Sequence, residues 1–150
     1  MIVNKKVKLA LEYGLTPVVC IGETKNQKEQ GIGDECIENQ VIAACNMVSD
    51  ESVARVIFAY EPVWAIGQKE GASPDYVEKQ HRLIRGICSK LYSDSIANKI
   101  RIIYGGSVKK ESAADLIKQE NVDGLFIGRF GLDPDNFIEI AKIVSKHKEV

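Results

Sequence analysis

The stretch Ala59-Tyr60-Glu61-Pro62-Val63-Trp64-Ala65-Ile66-Gly67 decides how the rest of the sequence is interpreted. It closes an apolar, β-branched run at residues 55–60, which predicts a buried strand that ends at the Glu61 carboxylate. Pro62 then restricts the backbone, Trp64 adds a large amphipathic ring, and two glycines free the chain further on. A stiff start, a bulky middle and a flexible end are typical of a moving lid, although an ordinary loop after a strand has a similar composition.

The composition is that of a globular protein with one core. The chain has 150 residues, of which 45% are hydrophobic and 27% charged, and its formal net charge is -1. We therefore expect a single domain over residues 1–150, without a nucleic-acid or membrane partner. No apolar run reaches the length of a membrane span, and the first residues lack the apolar region of a secretory signal, which favours the cytoplasm.

The cysteines and histidines do not form a metal-binding pattern. Four cysteines are too widely spaced for a zinc ribbon or a CxxC pair, and two histidines are few for a metal site. We expect no metal and predict that the cysteines are reduced thiols, mostly packed in the interior, Cys20 and Cys45 among them.

Apolar periodicity predicts a helix followed by four strand–helix units. The strands are predicted at residues 16–22, 55–60, 100–104 and 122–128. The helices are predicted at residues 3–11, near 37–48, at 73–92, at 112–119 with Ser112 as cap, and from about 133 onward; residues 25–34 are predicted to be a loop. The predicted inward residues of the last two long helices are Val77, His81, Ile84, Ile87, Cys88, Leu91, Phe137, Ile140, Ala141 and Val144.

Alternating strands and helices predict a parallel sheet with right-handed crossovers. Chemistry in such sheets collects at the carboxyl ends of the strands, whether the sheet is open or closed into a barrel. Those ends are Gly22-Glu23, Glu61, Gly105-Gly106-Ser107 and Gly128-Arg129.

Two of these strand ends are suited to binding an anion. Gly105-Gly106-Ser107 can expose backbone amides, and Arg129 adds a guanidinium that grips phosphate well, although a tight turn and a solvated arginine explain each feature separately. These loops follow the third and fourth predicted strands, beside the strand that ends in the Glu61 carboxylate. The combination indicates proton abstraction from a small phosphorylated substrate.

Three motifs resemble the triosephosphate isomerase family. They are Tyr60-Glu61-Pro62-Val63-Trp64-Ala65-Ile66-Gly67, Tyr104-Gly105-Gly106-Ser107-Val108 and Val18-Val19-Cys20-Ile21-Gly22-Glu23-Thr24. The resemblance implies the C-terminal half of a (β/α)8 TIM barrel, strands five to eight, preceded by a helix. It further implies interconversion of dihydroxyacetone phosphate and glyceraldehyde 3-phosphate without a cofactor, in glycolysis and gluconeogenesis. The small phosphorylated sugar is the implied ligand, and the implied assembly is a homo-oligomer or an association with the missing N-terminal half.

The resemblance also implies roles for individual residues. Glu61 matches the family's catalytic base, and the backbone amides of Gly67, Ser107 and Gly128 match its phosphate-binding groups. The lid corresponds to residues 62–72, which include Pro62, Val63, Trp64 and Ala72. Trp64 resembles the lid residue that exchanges partners, with Glu23 as its open-state partner, and Tyr104 and Ser107 resemble the latch of the closed lid.

The sequence departs from the family in two places. Arg129 stands where a second glycine is usual, and the lid continues as Gln68-Lys69-Glu70-Gly71. A Gly-Arg pair is similar to relatives assigned to isomerising four-carbon ketose phosphates, so a tetrose phosphate such as erythrulose phosphate is an alternative substrate.

The family's Asn and Lys from its first strand and its His electrophile have no counterpart here. His81 and His147 lie in helical segments, so we predict that the chain alone is nearly inactive. A non-catalytic phosphate-binding half-barrel that assembles with a partner is an alternative function. An open α/β nucleotide-binding domain is disfavoured, because no GxGxxG or P-loop follows the first strand.

Overall fold

Four short parallel strands form one sheet in the computed structural model, which describes residues 2–68 and 70–148. The strands are β1 (Val18–Ile21), β2 (Ile57–Tyr60), β3 (Arg101–Tyr104) and β4 (Gly124–Leu125), and they lie in the order β1-β2-β3-β4. The helices are α1 (Ile2–Glu12), α2 (Lys25–Glu29), α3 (Gly33–Cys45), α4 (Asp50–Val53), α5 (Pro74–Leu91), α6 (Asp94–Ala97), α7 (Lys110–Ile117) and α8 (Pro134–His147). Two 3₁₀ turns follow strands, at Val63–Ala65 and Arg129–Leu132. The predicted alternation of parallel strands and helices is confirmed.

The register of the sheet aligns the carboxyl ends of the strands. Ile21 pairs with Tyr60, Tyr60 with Tyr104, and Tyr104 with Leu125. The ladder continues past the strands, because the Glu61 amide donates to the Ile21 carbonyl at 2.7 Å and the Gly105 amide donates to the Tyr60 carbonyl at 2.9 Å. The residues that follow each strand are therefore held side by side along one edge of the sheet.

The two faces of the sheet are covered differently. Val19 and Ile21 point toward the helices and are buried, whereas Val18 is 47% exposed and Cys20 is also exposed. This is the alternation that a strand with one covered face produces. Among the described residues the second face is therefore open at β1, whereas Ala59, the β2 partner of Cys20, is buried. The core on the covered side contains Ile37, Val41, Phe58, Ile84, Ile87, Ile100, Ile102, Ile117 and Val122.

The best-marked helix starts in the sequence are confirmed. The Ser73 hydroxyl accepts a hydrogen bond from the Tyr76 amide, and Pro74 occupies the first helical position of α5. Asp133 caps α8 in the same way, accepting from the amides of Asp135 and Asn136. In both cases the cap satisfies amides that have no partner inside the helix.

Three predictions of local structure were wrong. Residues 25–34 are not all loop, because Thr24 and Gln27 form a reciprocal capping box that starts α2. Ser112 is not the cap of α7; the helix starts at Lys110, and the Ser112 hydroxyl accepts from the Lys109 amide. The fourth strand is shorter than residues 122–128, with ladder pairing only at Gly124 and Leu125.

Several residues that were predicted to be inward are exposed. Leu91 ends α5 beyond the sheet and is 41% exposed. Phe137 and Ala141 are exposed while Ile140 is fully buried, because α8 packs chiefly on α7 and buries a narrower stripe than its sequence offers. Of the four free cysteines, Cys45 and Cys88 are buried and Cys36 is intermediate, so Cys20 is the exception to the packed thiols expected.

No helix in residues 2–68 and 70–148 combines the length and the apolar character that crossing a membrane requires. The same residues contain no group of three or more His, Cys, Asp or Glu side chains arranged to hold a metal ion.

Candidate active site

Glu61 lies in the first position after β2, at the edge of the sheet. Its carboxylate side chain rests on Gly105, where an added Cβ would come within 2.9 Å of Glu61 Cγ and 3.1 Å of Glu61 Oε1. On the other side, a Cβ on Gly22 would overlap the Glu61 carbonyl oxygen. Glycine at both neighbouring strand ends is therefore needed for Glu61 to occupy this position.

One cleft brings Glu61 together with the predicted phosphate-binding residues. The cleft has a volume of about 340 Å³ and is lined by Glu61, Ile66, Gly67, Gly106, Ser107, Val108, Phe126, Gly128, Arg129 and Phe130. It contains the carboxylate, both predicted phosphate loops and the lid glycine. A negatively charged ligand with a reactive carbon beside Glu61 fits this distribution of groups.

Two contacts tie the loops of this cleft to the lid segment. The Ser107 hydroxyl donates to the Ala65 carbonyl at 2.9 Å, and Arg129 Nη2 donates to the Gly67 carbonyl at 3.3 Å. Ser107 also has a φ of 55°, a left-handed conformation that costs a non-glycine residue about 1 kcal/mol or more. The surrounding contacts hold this strained conformation at the third strand end.

The start of the lid segment is anchored on Glu23. This carboxylate is fully buried and accepts hydrogen bonds from Trp64 Nε1 at 2.7 Å, from the Tyr76 hydroxyl at 2.9 Å and from the Tyr60 hydroxyl at 3.0 Å. Burial, followed by the charge of Glu23, raises the pKa of Tyr60; burial and a hydrogen bond to Glu23 raise that of Tyr76. Both phenols therefore remain protonated donors at neutral pH.

Tyr76 is a member of this cluster that the sequence did not reveal. It lies in the first turn of α5, where its position relative to Glu23 depends on how α5 packs on α2 and α3. The available signal was a tyrosine three residues after the helix cap Ser73, which by itself indicates no partner. The Trp64–Glu23 contact, in contrast, is the one that the resemblance implied.

The end of the lid segment is anchored on Tyr104. The Tyr104 hydroxyl accepts a hydrogen bond from the Ala72 amide at 2.9 Å and donates to the Gly106 carbonyl at 2.8 Å. Tyr104 is fully buried, and burial raises its pKa. The structure thus holds the lid segment at both ends, at Glu23 and at Tyr104.

Cys20 contacts Glu61 across the first two strands. Burial, a hydrogen bond to Glu61 and the charge of Glu61 raise the pKa of the Cys20 thiol to about 11. The thiol is therefore neutral at pH 7. Cys20 was predicted to be a packed thiol, and its proximity to Glu61 was not predicted, because it depends on the pairing of Cys20 with Ala59, two residues before Glu61.

The two histidines do not line the cleft. His81 is fully buried on the helix-covered side, where its Nδ1 lies 3.2 Å from the Asn121 carbonyl and its ring packs edge-on to Tyr60. Burial lowers the pKa of His81 to about 4, so the ring is neutral at pH 7. His147 is exposed at the end of α8.

A larger depression of about 630 Å³ lies beside Trp64. It is lined by Lys25, Lys28, Glu29, Trp64, Gln68 and Glu70. Neither the Glu61 carboxylate nor a phosphate loop borders it. The smaller cleft therefore remains the candidate active site.

Fold and site together define a class: an α/β protein of repeated strand–helix units, with a carboxylate and glycine-rich loops at the carboxyl ends of its parallel strands. The family model described as triosephosphate isomerase matches residues 1–144. The chain belongs to the triosephosphate isomerase family, whose fold is the (β/α)8 barrel.

Curated relatives support this assignment. The chain is 44% identical over 146 residues to a protein of Listeria monocytogenes named "Probable triosephosphate isomerase 2", covering 97% of this chain and 57% of that protein. It is 42% identical over 141 residues to the triosephosphate isomerase of Chloroherpeton thalassium, covering 94% of this chain and 56% of that protein. It is 41% identical over 139 residues to the triosephosphate isomerase of Pediococcus pentosaceus, covering 93% of this chain and 55% of that protein. The chain thus spans little more than half the length of these relatives.

Proposed function

We propose that this chain carries the base, the lid and the phosphate-binding loops of a triosephosphate isomerase. The observation that carries the proposal is the single cleft shared by Glu61, Gly67, Ser107, Gly128 and Arg129. In the proposed reaction, Glu61 removes a proton from one carbon of dihydroxyacetone phosphate and returns it to the neighbouring carbon through an enediolate. The product is glyceraldehyde 3-phosphate.

The proposed base has suitable surroundings. Abstraction of a proton beside a carbonyl needs a carboxylate within hydrogen-bond reach of the carbon, in a site from which water is removed. Glu61 borders the cleft with a partly exposed side chain, held between Gly22 and Gly105. Closure of the lid over the cleft would exclude water from the carboxylate and raise its basicity.

The proposed phosphate site is formed by loops from two strand ends and the lid. The backbone amides of Gly67, Ser107 and Gly128 and the Arg129 guanidinium are the groups assigned to the phosphate. Binding energy from the phosphate, which does not react, is then available to draw the lid closed. Pro62, Val63, Trp64 and Ala72 belong to the moving segment, with Glu23 and Tyr104 as its fixed attachments.

A triose phosphate is the favoured substrate. The relatives reported above are named triosephosphate isomerases, including one with 44% identity over nearly the whole chain. Arg129 is the residue whose similarity to other relatives made a tetrose phosphate the alternative substrate. A tetrose phosphate therefore serves as the comparison substrate in the test.

The electrophile in this proposal comes from a polypeptide outside residues 1–150. The described residues that line the cleft include no histidine and no lysine, whereas the resemblance implies a His, an Asn and a Lys beside the base. The apolar face of the sheet, with Val18 and Cys20 exposed, is where such a polypeptide would pack. We predict phosphate binding without turnover for the 150-residue chain alone.

The test uses two proteins. One is the 150-residue chain alone, and the other is a fusion in which the unmatched part of the Listeria monocytogenes relative precedes this chain. Calorimetry should show that the chain alone binds dihydroxyacetone phosphate and not dihydroxyacetone. The fusion should isomerise dihydroxyacetone phosphate faster than erythrulose phosphate. Glu61→Gln in the fusion should reduce the rate by about 10²–10⁴-fold. A folded fusion whose rate is unchanged by Glu61→Gln would refute the assignment of the base.

A further inference from the structure

Lys28 lies against the aromatic anchor of the lid. Its Nζ is 3.4 Å from the centroid of the Trp64 ring and 4.5 Å from that of the Tyr76 ring. The two rings meet edge-to-face with their centroids 5.6 Å apart, so one ammonium covers both. This arrangement is a cation–π contact, which is strongest over tryptophan.

The position of Lys28 depends on α2, the short helix that follows Glu23. Thr24 and Gln27 cap this helix, and Lys28 lies in its last turn. Glu23 therefore accepts hydrogen bonds from the Trp64 indole nitrogen and the Tyr76 hydroxyl. Lys28, five residues later, lies over the faces of the same two rings. Among residues 2–68 and 70–148, Lys28 forms no ion pair, whereas Lys25 on the same helix pairs with Glu29 at 3.8 Å.

We propose that Lys28 is a positioning residue that holds Trp64 in its Glu23-bonded arrangement and thereby opposes movement of the lid. The carboxylate alone fixes only the indole nitrogen, about which the ring can still swing. The ammonium over the ring face adds a second point of attachment, and the two together define the orientation of the indole. Loss of the cation shifts the equilibrium toward released Trp64 by about twofold to fivefold.

The effect on ligand binding rests on the proposed function, since it requires that lid closure release Trp64. A ligand that closes the lid must then work against the Lys28 contact. Removing the cation should make such a ligand bind about twofold to fivefold more tightly. The contact with Trp64 itself does not depend on that function.

Trp64 is the single tryptophan of the sequence, so its fluorescence reports this contact directly. Lys28→Gln should change the emission spectrum and raise acrylamide quenching of Trp64, while Lys28→Arg, which keeps a cation over the ring, should restore both. Lys25→Gln is the matched control on the same exposed helix and should leave both unchanged. Glycerol 3-phosphate is the ligand probe, titrated into each variant of the 150-residue chain and followed by calorimetry.

The outcomes separate the two proposals. Unchanged emission and quenching in Lys28→Gln would overturn the positioning role. A changed spectrum with unaltered affinity for glycerol 3-phosphate would overturn the link to the lid. If the unmodified chain fails to bind glycerol 3-phosphate, the proposed function fails, and the quenching comparison still decides whether Lys28 positions Trp64.

Discussion

Two regions that adjoin the candidate cleft, here called the anchored wall and the open wall, are built in opposite ways. The anchored wall, consisting of Glu23, Tyr60, Trp64, Tyr76 and Tyr104, contains three fully buried side chains and a set of hydrogen bonds of 2.7–3.0 Å that converge on Glu23. The open wall, residues 128–132, is largely exposed, with Leu132 at 84% and Phe130 at 39%. Its link to the lid is the 3.3 Å hydrogen bond from Arg129 to Gly67.

Of the two places where the sequence departs from the family pattern, Arg129 lies in the open wall. The anchored wall tolerates little change, because loss of Glu23 leaves buried donors without an acceptor and loss of a donor leaves the Glu23 carboxylate with fewer hydrogen bonds. The open wall has room, since nothing lies within 4 Å of a Cβ added at Gly128. Arg129 itself is exposed, so this wall is one at which a substitution can change ligand preference at little cost to the core.

The largest effect is expected at the centre of the anchored wall. Glu23→Ala leaves the hydrogen-bond donors of Trp64, Tyr76 and Tyr60 without their acceptor and should lower the free energy of unfolding by about 3–5 kcal/mol. Urea denaturation measures this change. Glu29→Ala, an exposed glutamate on the neighbouring helix, is the control and should stay within about 0.5 kcal/mol. A loss below about 1 kcal/mol in Glu23→Ala would show that the wall is not held at Glu23.

The second effect is a pH dependence that originates behind the anchored wall. Burial lowers the pKa of His81 from 6.5 to about 4, and Glu78, Asp123 and Arg85 are the charged groups nearest to it. Because the unfolded chain binds a proton that the folded chain does not, stability falls as the pH drops below the ordinary pKa of histidine. The loss should be roughly 2 kcal/mol between about pH 7 and about pH 5.

His81→Gln should abolish this slope, and His147→Gln, at an exposed position, should leave it intact. Urea denaturation at several pH values provides the measurement. The lowered pKa values of Asp34 and Glu78 act mainly below pH 5, outside this window. An unchanged slope in His81→Gln would mean that another group titrates.

A smaller effect is expected at the second attachment of the lid. Tyr104→Phe removes the hydroxyl that joins the Ala72 amide to the Gly106 carbonyl, and should cost about 1–2 kcal/mol. Hydrogen exchange of the Ala72 amide should become faster, because that amide loses its acceptor. Tyr13→Phe, on a side chain that is 74% exposed, is the matched control. Unaltered exchange at Ala72 would contradict this attachment.

The smallest effect on stability is expected at the open wall. Arg129→Gly should change the free energy of unfolding by less than about 0.5 kcal/mol, yet weaken the binding of glycerol 3-phosphate by about tenfold, because a guanidinium is lost from the proposed phosphate site. The affinity of Arg129→Lys for glycerol 3-phosphate should lie between that of the unmodified chain and that of Arg129→Gly. Equal affinity in the arginine and glycine forms would remove Arg129 from the phosphate site and leave the backbone amides as its components.

The sequence determined the architecture and most of the candidate site. Apolar runs of strand length alternating with amphipathic helices are sufficient to predict a parallel sheet, and chain direction alone then places Glu61, Ser107 and Gly128 at one edge. Local signals with a direct physical cause, such as Ser73-Pro74 before α5, were also sufficient. The capping box at Thr24 and Gln27 was present in the sequence and was overlooked in a polar segment.

Only the tertiary structure decided which side chains meet. The cluster of Trp64, Tyr76 and Lys28 around Glu23 draws on α2, the lid and α5, and the Cys20–Glu61 contact depends on strand register. Such contacts join residues up to 53 positions apart, and no periodicity in the sequence encodes them. Periodicity reports which face of an element is buried, because burial is a property of one residue. A partner is a property of two elements and of how they pack, and it becomes visible only when the chain is folded.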